Sequence, residues 1–138
     1  MRQFAGIIPI QTHGRGLGDV TGTVGAWVER HGLLMGLLTS IADIRRRRSS
    51  FRKTPPAVRA DLETFFERIA PEDPARYAHN DEGPDDMPAH IRAALIGVNL
   101  SIPLLEGRLA LGTWQGIYLF EHRRAPHRRE IAAHLIGE

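Results

Sequence analysis

The stretch Asn99-Leu100-Ser101-Ile102-Pro103-Leu104-Leu105-Glu106-Gly107-Arg108-Leu109-Ala110-Leu111-Gly112-Thr113 decides the fold class of this chain. It predicts two strands, Asn99–Leu105 and Arg108–Thr113, which are joined by the turn Glu106-Gly107. Further strands are predicted at Gly116–Glu121 and Glu130–Leu135. The last third of the chain is therefore predicted to be β-structure.

Earlier segments add helices and two more strands. Residues 3–12 and Leu33–Leu38 predict strands, and Thr21 or Asp19 caps a predicted helix that runs to about residue 31. Between them, Gly14, Gly16 and Gly18 predict a flexible loop. The predicted elements after residue 56 are the helix Ala57–Ala70, the long loop Pro71–Met87 and the helix Pro88–Leu95. The pattern predicts one α+β domain over residues 1–138.

The composition excludes several classes of protein. There is no cysteine, so disulfides and thiolate metal sites are excluded, and any metal must use His, Asp or Glu. No apolar run approaches the roughly 20 residues that a membrane-spanning helix needs. The N-terminus is too short and too broken by Gly6 and Pro9 for a secretory signal. We therefore expect a cytoplasmic protein without a membrane partner.

The basic pI near 9.7 comes from one segment. Residues 45–53 hold six of the 18 Lys and Arg residues, and Asp43 is the one acid beside them. The rest of the chain then carries 12 basic against 15 acidic residues. Basicity is therefore a property of that segment and not of the whole surface.

The segment Tyr77–Ile91 concentrates metal-binding residue types. It contains two histidines, His79 and His90, and four carboxylates, including Asp86. Neutral imidazole and carboxylate are what a cysteine-free site offers to Zn²⁺, or with more oxygen ligands to Mg²⁺. The alternative is an acidic solvated loop whose histidines cap or pair, and the residues alone do not choose between the two.

A second group of candidates follows Gly112. Trp114 and Gln115 lie between glycines, which let a ligand approach the backbone closely. Arg123 and Arg128 follow, and arginine binds phosphate in bidentate fashion. Taken alone, these residues favour a structural alternative with a core Trp, a capping Gln and a solvated charged turn.

Together these motifs resemble the secondary thiamine-phosphate synthase family. The resemblance rests on the following motifs of this sequence: Tyr77-x-His79, Glu82-Gly83-x-Asp85-Asp86-Met87-Pro88-x-His90-Ile91, Gly107-Arg108, Gly112-Thr113-Trp114-Gln115-Gly116-Ile117 and Glu121-His122-Arg123. It extends to the closing Gly137-Glu138 and to residues 3–38, about four-fifths of the chain.

The resemblance implies a fold, an assembly and a reaction. The fold is α+β, with two packed, mostly antiparallel sheets in a sandwich or jelly-roll arrangement and two or three helices. The assembly is a homotrimer. The reaction joins an aminopyrimidine diphosphate to a thiazole phosphate with loss of pyrophosphate.

The resemblance also implies roles for individual residues. The implied catalytic residues are His79, Asp86, His90 and Gln115. Arg123 and Arg128 would hold the phosphate of a small phosphorylated substrate. A divalent metal, Mg²⁺ or Zn²⁺, would bind His79 and His90.

Residues 40–55 depart from that family. The family carries a strand and turn with an active-site His and Glu here, whereas this chain has an aberrant basic segment. The segment can be written as a frame-shifted version of the family motif, which is our hypothesis for its origin. Since arginines are costly to bury on both faces of a strand, we expect 41–55 to leave the sheet or to be poorly ordered at its edge, and activity to be impaired.

Two other functions stay open. A non-catalytic trimer could bind a phosphorylated metabolite or a metal through the same residues. A nucleic-acid-binding module could use Arg45–Lys53, since a basic run gives salt-dependent affinity. The four consecutive arginines have no aromatic residue between them, and the run matches no known binding motif, so a nucleic-acid partner is the less favoured prediction.

Overall fold

The computed structural model describes residues 1–42, 47–51 and 55–138. The strands in chain order are β1 (Arg2–Gln11), β2 (Gly16–Asp19), β3 (Gly36–Ala42), β4 (Arg47–Phe51), β5 (Asn99–Leu105), β6 (Arg108–Leu109), β7 (Ile117–Glu121) and β8 (Arg128–Gly137). The α-helices are α1 (Thr21–Glu29), α2 (Pro56–Ile69) and α3 (Asp86–Ile96), and a short 3₁₀ turn spans Pro74–Arg76. The predicted α+β class is confirmed.

The strands form two antiparallel sheets. The five-stranded sheet has the order β1-β8-β3-β5-β6, and the three-stranded sheet has the order β2-β7-β4. Apolar residues from the inner faces of both sheets share one core with Val24, Trp27 and Val28 of α1. Leu38, Leu104 and Leu135 are among its fully buried members. The prediction of two packed sheets with two or three helices is therefore correct.

The helices take different positions around the sheets. On α1, Trp27 lies over Gly6 of β1, where an added Cβ would stand 3.2 Å from the indole nitrogen. Phe66 of α2 meets Phe120 of β7 edge to face, with ring centroids 5.4 Å apart. No helix among the described ranges is long and apolar enough to cross a membrane.

One expectation about a strand was wrong. Gly14, Gly16 and Gly18 were predicted to form a flexible loop, but Gly16–Asp19 pairs with β7 as β2. Pairing with a buried neighbour supplies the stabilisation that the glycines do not. Residues 41–55 were expected to leave the sheet or to be poorly ordered at its edge. Ile41 and Ala42 complete β3, and 47–51 form β4 at the edge of the three-stranded sheet. Residues 43–46 and 52–54 of that basic segment lie outside the described residues.

Candidate metal centre

The start of α3 positions two of the candidate ligands. Gly83 has φ +99°, a backbone conformation that glycine adopts without strain, and its carbonyl accepts the N–H of Asp86 at 3.2 Å. Asp86 is the first residue of α3, two residues before the start that the sequence predicts. Asp86 and His90 are four residues apart on this helix, so their side chains share one face.

His79 approaches the same carboxylate from the preceding loop. Its Nε2 lies 2.9 Å from Asp86 Oδ2, and Nε2 of His90 lies 3.3 Å from the same oxygen. The two imidazole rings are 6.0 Å apart and inclined at 69°. Asp86 is fully buried, whereas the histidine side chains are about 40% exposed. The carboxylate therefore lies at the bottom of the group, and solvent reaches the two imidazoles.

The spacing of these atoms suits a single metal ion. One ligand atom from each of His79, Asp86 and His90 lies within 4.8 Å of the others. Zinc ligands lie about 2.0–2.2 Å from the ion, so the ligands of a tetrahedral site are about 3.4 Å apart. The two His–Asp distances, 2.9 and 3.3 Å, are already close to that value.

Arg123 holds this carboxylate from the opposite side. Its three nitrogens are directed at Asp86 Oδ1, at Asp85 Oδ2 (3.1 Å) and at the carbonyl of Glu82 (3.0 Å). Oδ1 of Asp86 therefore accepts from the arginine, and Oδ2 is left facing the histidines. Asp85 also accepts the backbone N–H of Arg124 at 3.0 Å.

An ionic cluster joins this turn to the end of α2. Glu72 accepts hydrogen bonds from both Arg15 and Arg124, and Arg15 also pairs with Glu67 at 2.8 Å. Nearby, buried Arg92 donates to the carbonyl of Ala70 at 2.9 Å. Burial lowers the pKa of Arg92 below its ordinary value, and the positive charge of Arg15 lowers it further. These contacts fix the chain on both sides of the histidine loop.

Gln115 lies away from this group. Its side-chain oxygen accepts the N–H of Gly112 at 2.8 Å, so it closes its own turn as a capping glutamine. That turn precedes Ile117, whereas Arg123 follows Glu121, so the two lie beyond opposite ends of β7. Trp114 is 72% exposed and is not a core residue.

The two arginines predicted to hold phosphate differ in their surroundings. All three nitrogens of Arg123 bind protein acceptors, as described above. Arg128 is exposed at the start of β8 and makes no side-chain hydrogen bond or ion pair with the described part of the chain. The phosphate role of both residues stays a prediction.

A buried ion pair that contacts the backbone of Arg123 was not predicted. The carboxylate of Glu121 accepts two hydrogen bonds from Arg129, at 2.6 and 2.8 Å. It also accepts hydrogen bonds from Thr12 Oγ1 and from the backbone N–H of Arg123, each at 3.0 Å. The sequence carries a signal for it. Arg129 falls on the inward parity of β8 with Ile131 and Ala133, which places its side chain in the core.

A cavity of about 530 Å³ opens elsewhere, along the loop before β2. Residues 10–20 line it together with Glu63, Leu119 and Glu121. Neither His79 nor His90 is among these residues. The cavity and the group of His79, Asp86 and His90 are therefore formed by different residues.

Comparison with known proteins identifies the family. The family model described as UPF0047 protein YjbQ-like matches residues 7–138. A UPF0047 protein from Synechocystis is 44% identical over 140 residues, covering 99% of this chain and 94% of that protein. YjbQ from Salmonella typhimurium is 53% identical over 83 residues, 60% of this chain and 59% of its own length.

Solved structures agree with this relationship. A hypothetical protein from Aeropyrum pernix superposes with a TM-score of 0.87 at 29% identity, covering 98% of this chain and 99% of its own. A conserved hypothetical protein from Thermus thermophilus gives 0.83 at 27% identity, with coverage of 94% and 98%.

These matches correct the expected kinship. The motifs between Tyr77 and Glu138 that resembled secondary thiamine-phosphate synthases all lie inside the matched span of the YjbQ-like model. Nothing in the matches indicates a thiamine-phosphate synthase, and the pyrimidine–thiazole joining reaction is withdrawn. The frame-shift hypothesis for residues 40–55 depended on the same kinship and is withdrawn with it. The chain belongs to the YjbQ-like UPF0047 family.

Proposed function

We propose that this protein binds one divalent transition-metal ion, with Zn²⁺ as the best match, through His79, Asp86 and His90. The observation that carries the proposal is the convergence of three different donor atoms within 4.8 Å of one another. Two imidazoles and one carboxylate are a common zinc donor set, whereas Mg²⁺ prefers oxygen ligands. Zinc is therefore favoured over magnesium.

The number of ligands favours a centre that works on a bound molecule. Structural zinc sites are closed by four protein ligands, whereas catalytic sites use three and leave a position for water or substrate. The exposed edges of His79 and His90 leave such a position open to solvent. The chemistry that a zinc ion supplies in this arrangement is activation of a bound water or polarisation of an oxygen of the ligand.

Metal titration of the metal-free protein tests the proposal. We expect one Zn²⁺ or Co²⁺ per chain by calorimetry. His79→Ala and His90→Ala should each weaken binding by more than the roughly 100-fold that loss of an outer-shell partner costs. His13→Ala is the matched control, because His13 is exposed between β1 and β2 and is not one of the three converging residues. A wild-type chain that takes up no metal, or equal affinities in all three variants, overturns the proposal.

We further propose that the protein is a homotrimer in which other copies cover the outer face of the five-stranded sheet. An antiparallel sheet with one solvated face alternates apolar and polar residues. Here the outward positions of three strands carry exposed apolar residues: Ile7, Leu37, Ile41 and Leu105. Ile7 and Ile41 both lie opposite Ala132, and a groove of about 480 Å³ follows this surface. A patch of this kind supports self-association.

Light scattering after gel filtration measures the assembly. We expect the mass of three chains for the wild type and a smaller mass for Ile7→Lys, which puts a charge in the middle of the patch. Leu95→Lys is the control, since Leu95 is exposed on α3, away from that sheet. A monomeric wild type, or an Ile7→Lys variant that keeps the wild-type mass, contradicts the proposed interface.

A further inference from the structure

Asp85 makes unusual side-chain contacts for an aspartate at a helix N-cap. It is the N-cap residue of α3, where an Asp side chain usually accepts N–H groups of the first helical turn. Here it makes no cap hydrogen bond, although its backbone carbonyl accepts the N–H of Ala89 at 3.1 Å. Its carboxylate turns away from the helix instead.

The carboxylate of Asp85 is directed at the turn after β7. Its Oδ2 accepts from Arg123 Nε at 3.1 Å and from the backbone N–H of Arg124 at 3.0 Å. The side chain is only 11% exposed. A buried carboxylate with two donors on one oxygen fixes both the direction of the Arg123 side chain and the path of the turn.

Arg123 passes this constraint to Asp86. Its Nη1 binds Oδ1 of Asp86, and its Nη2 donates to the Glu82 carbonyl at 3.0 Å, so the guanidinium plane is held at three points. With Oδ1 occupied in this way, Oδ2 of Asp86 is the oxygen that meets both histidine Nε2 atoms. The order of contacts runs from Asp85 to Arg123 to the metal-facing carboxylate.

We infer that Asp85 is a positioning residue of the metal centre, which acts through Arg123 to set the orientation of the Asp86 carboxylate. The inference rests on the proposed metal function and adds residues outside the donor set. Outer-shell groups that orient metal ligands typically contribute 10–100-fold to metal affinity. A role in folding alone would lower stability and leave the affinity unchanged.

A matched pair of variants separates these roles. Glu72 is the control, because its side chain is as buried as that of Asp85, with 10% exposed. It pairs with Arg124 in the same turn but contacts neither Arg123 nor Asp86 among the described residues. We expect Asp85→Ala in the full chain to weaken Co²⁺ binding by about 10–100-fold and to change the visible spectrum of bound Co²⁺. Glu72→Ala should lower the melting temperature and leave affinity and spectrum as in the wild type.

The possible outcomes are distinct. Wild-type affinity and spectrum in Asp85→Ala, with a lowered melting temperature, overturn the positioning role while the metal site stands. Failure of the wild type itself to bind Co²⁺ or Zn²⁺ overturns the metal function first. If Asp85→Ala does not fold, Asp85→Leu fills a similar space without an acceptor oxygen for Arg123, and an unchanged affinity in that variant also overturns the inference.

Discussion

Glu121→Gln should destabilise the protein strongly, although the two side chains have nearly the same shape. Glu121 and Arg129 join the two sheets through a bidentate pair whose side chains are 2% and 8% exposed. Exposed ion pairs contribute about 0–1 kcal/mol, but removing one partner of a buried pair costs about 3–5 kcal/mol, since the other charge stays in a low-dielectric interior. With these low exposures, the pair is a buried one, and we expect the larger cost.

The size of the expected effect is easily measured. For a domain of this length, 1 kcal/mol corresponds to about 3–4 °C in melting temperature, so Glu121→Gln should lose about 10–20 °C. Calorimetry and urea denaturation of the metal-free protein measure this directly. Glu130→Gln is the control, because Glu130 is the exposed neighbour of Arg129 on β8, and it should change stability by less than about 0.5 kcal/mol.

A double variant tests the physical reason. Replacing both partners, as in Glu121→Leu with Arg129→Met, removes the unpaired charge as well as the pair, and such replacements are often neutral. We expect the double variant to be more stable than Glu121→Gln alone. A loss below about 1 kcal/mol for Glu121→Gln would refute the assignment of this pair to the buried class.

Three further predictions concern the backbone, the metal and the Gln115 turn. Gly36→Ala should destabilise the protein, because the new Cβ would lie 2.3 Å from the Ile136 carbonyl of the paired strand β8. Gly25→Ala in α1 meets nothing within 4 Å and should stabilise the protein by up to about 1 kcal/mol in thermal melts. Metal affinity in calorimetric titrations should fall steadily in mildly acid solution, because metal binding requires neutral imidazoles and releases protons, and an affinity independent of pH would argue against histidine ligands. Gln115→Ala should leave metal affinity within about twofold and cost about 0.5–1.5 kcal/mol in denaturation experiments, since its side chain bonds to Gly112 in its own turn.

The sequence predicts strands well where side chains carry the signal. β1 and β5 lie close to their predicted bounds, because both are long and rich in apolar residues between turn signals. β2 was missed, since Gly16 and Gly18 provide no side-chain pattern and the strand exists through its pairing with β7. The arginine-rich β4 was missed for a related reason: sheet pairing is a tertiary interaction that overrides local composition.

In the candidate metal centre too, contacts between residues near in sequence were predictable, and contacts between distant residues were not. Asp86 and His90 are four residues apart on a helix, and His79 lies seven residues before Asp86, so their proximity follows from local sequence. The contact from Arg123 to Asp86 spans 37 residues and requires that the turn after β7 meets the start of α3. The local sequence of the turn after β7 and of the start of α3 does not predict this contact.

The Glu121–Arg129 pair and the candidate metal centre are connected through Arg123. The Glu121→Gln variant therefore also tests what holds the metal centre in place. The backbone N–H of Arg123 donates to Glu121 Oε1, while the side chain of the same residue binds Asp86. Glu121→Gln changes only the backbone end of this connection, whereas Asp85→Ala removes a contact to the guanidinium itself. Below the melting temperature of each variant, Co²⁺ affinity should therefore fall further in Asp85→Ala than in Glu121→Gln, although Glu121→Gln is the less stable protein. An affinity that follows stability across the two variants would mean that the site is maintained by the general rigidity of the fold and not by the guanidinium contacts.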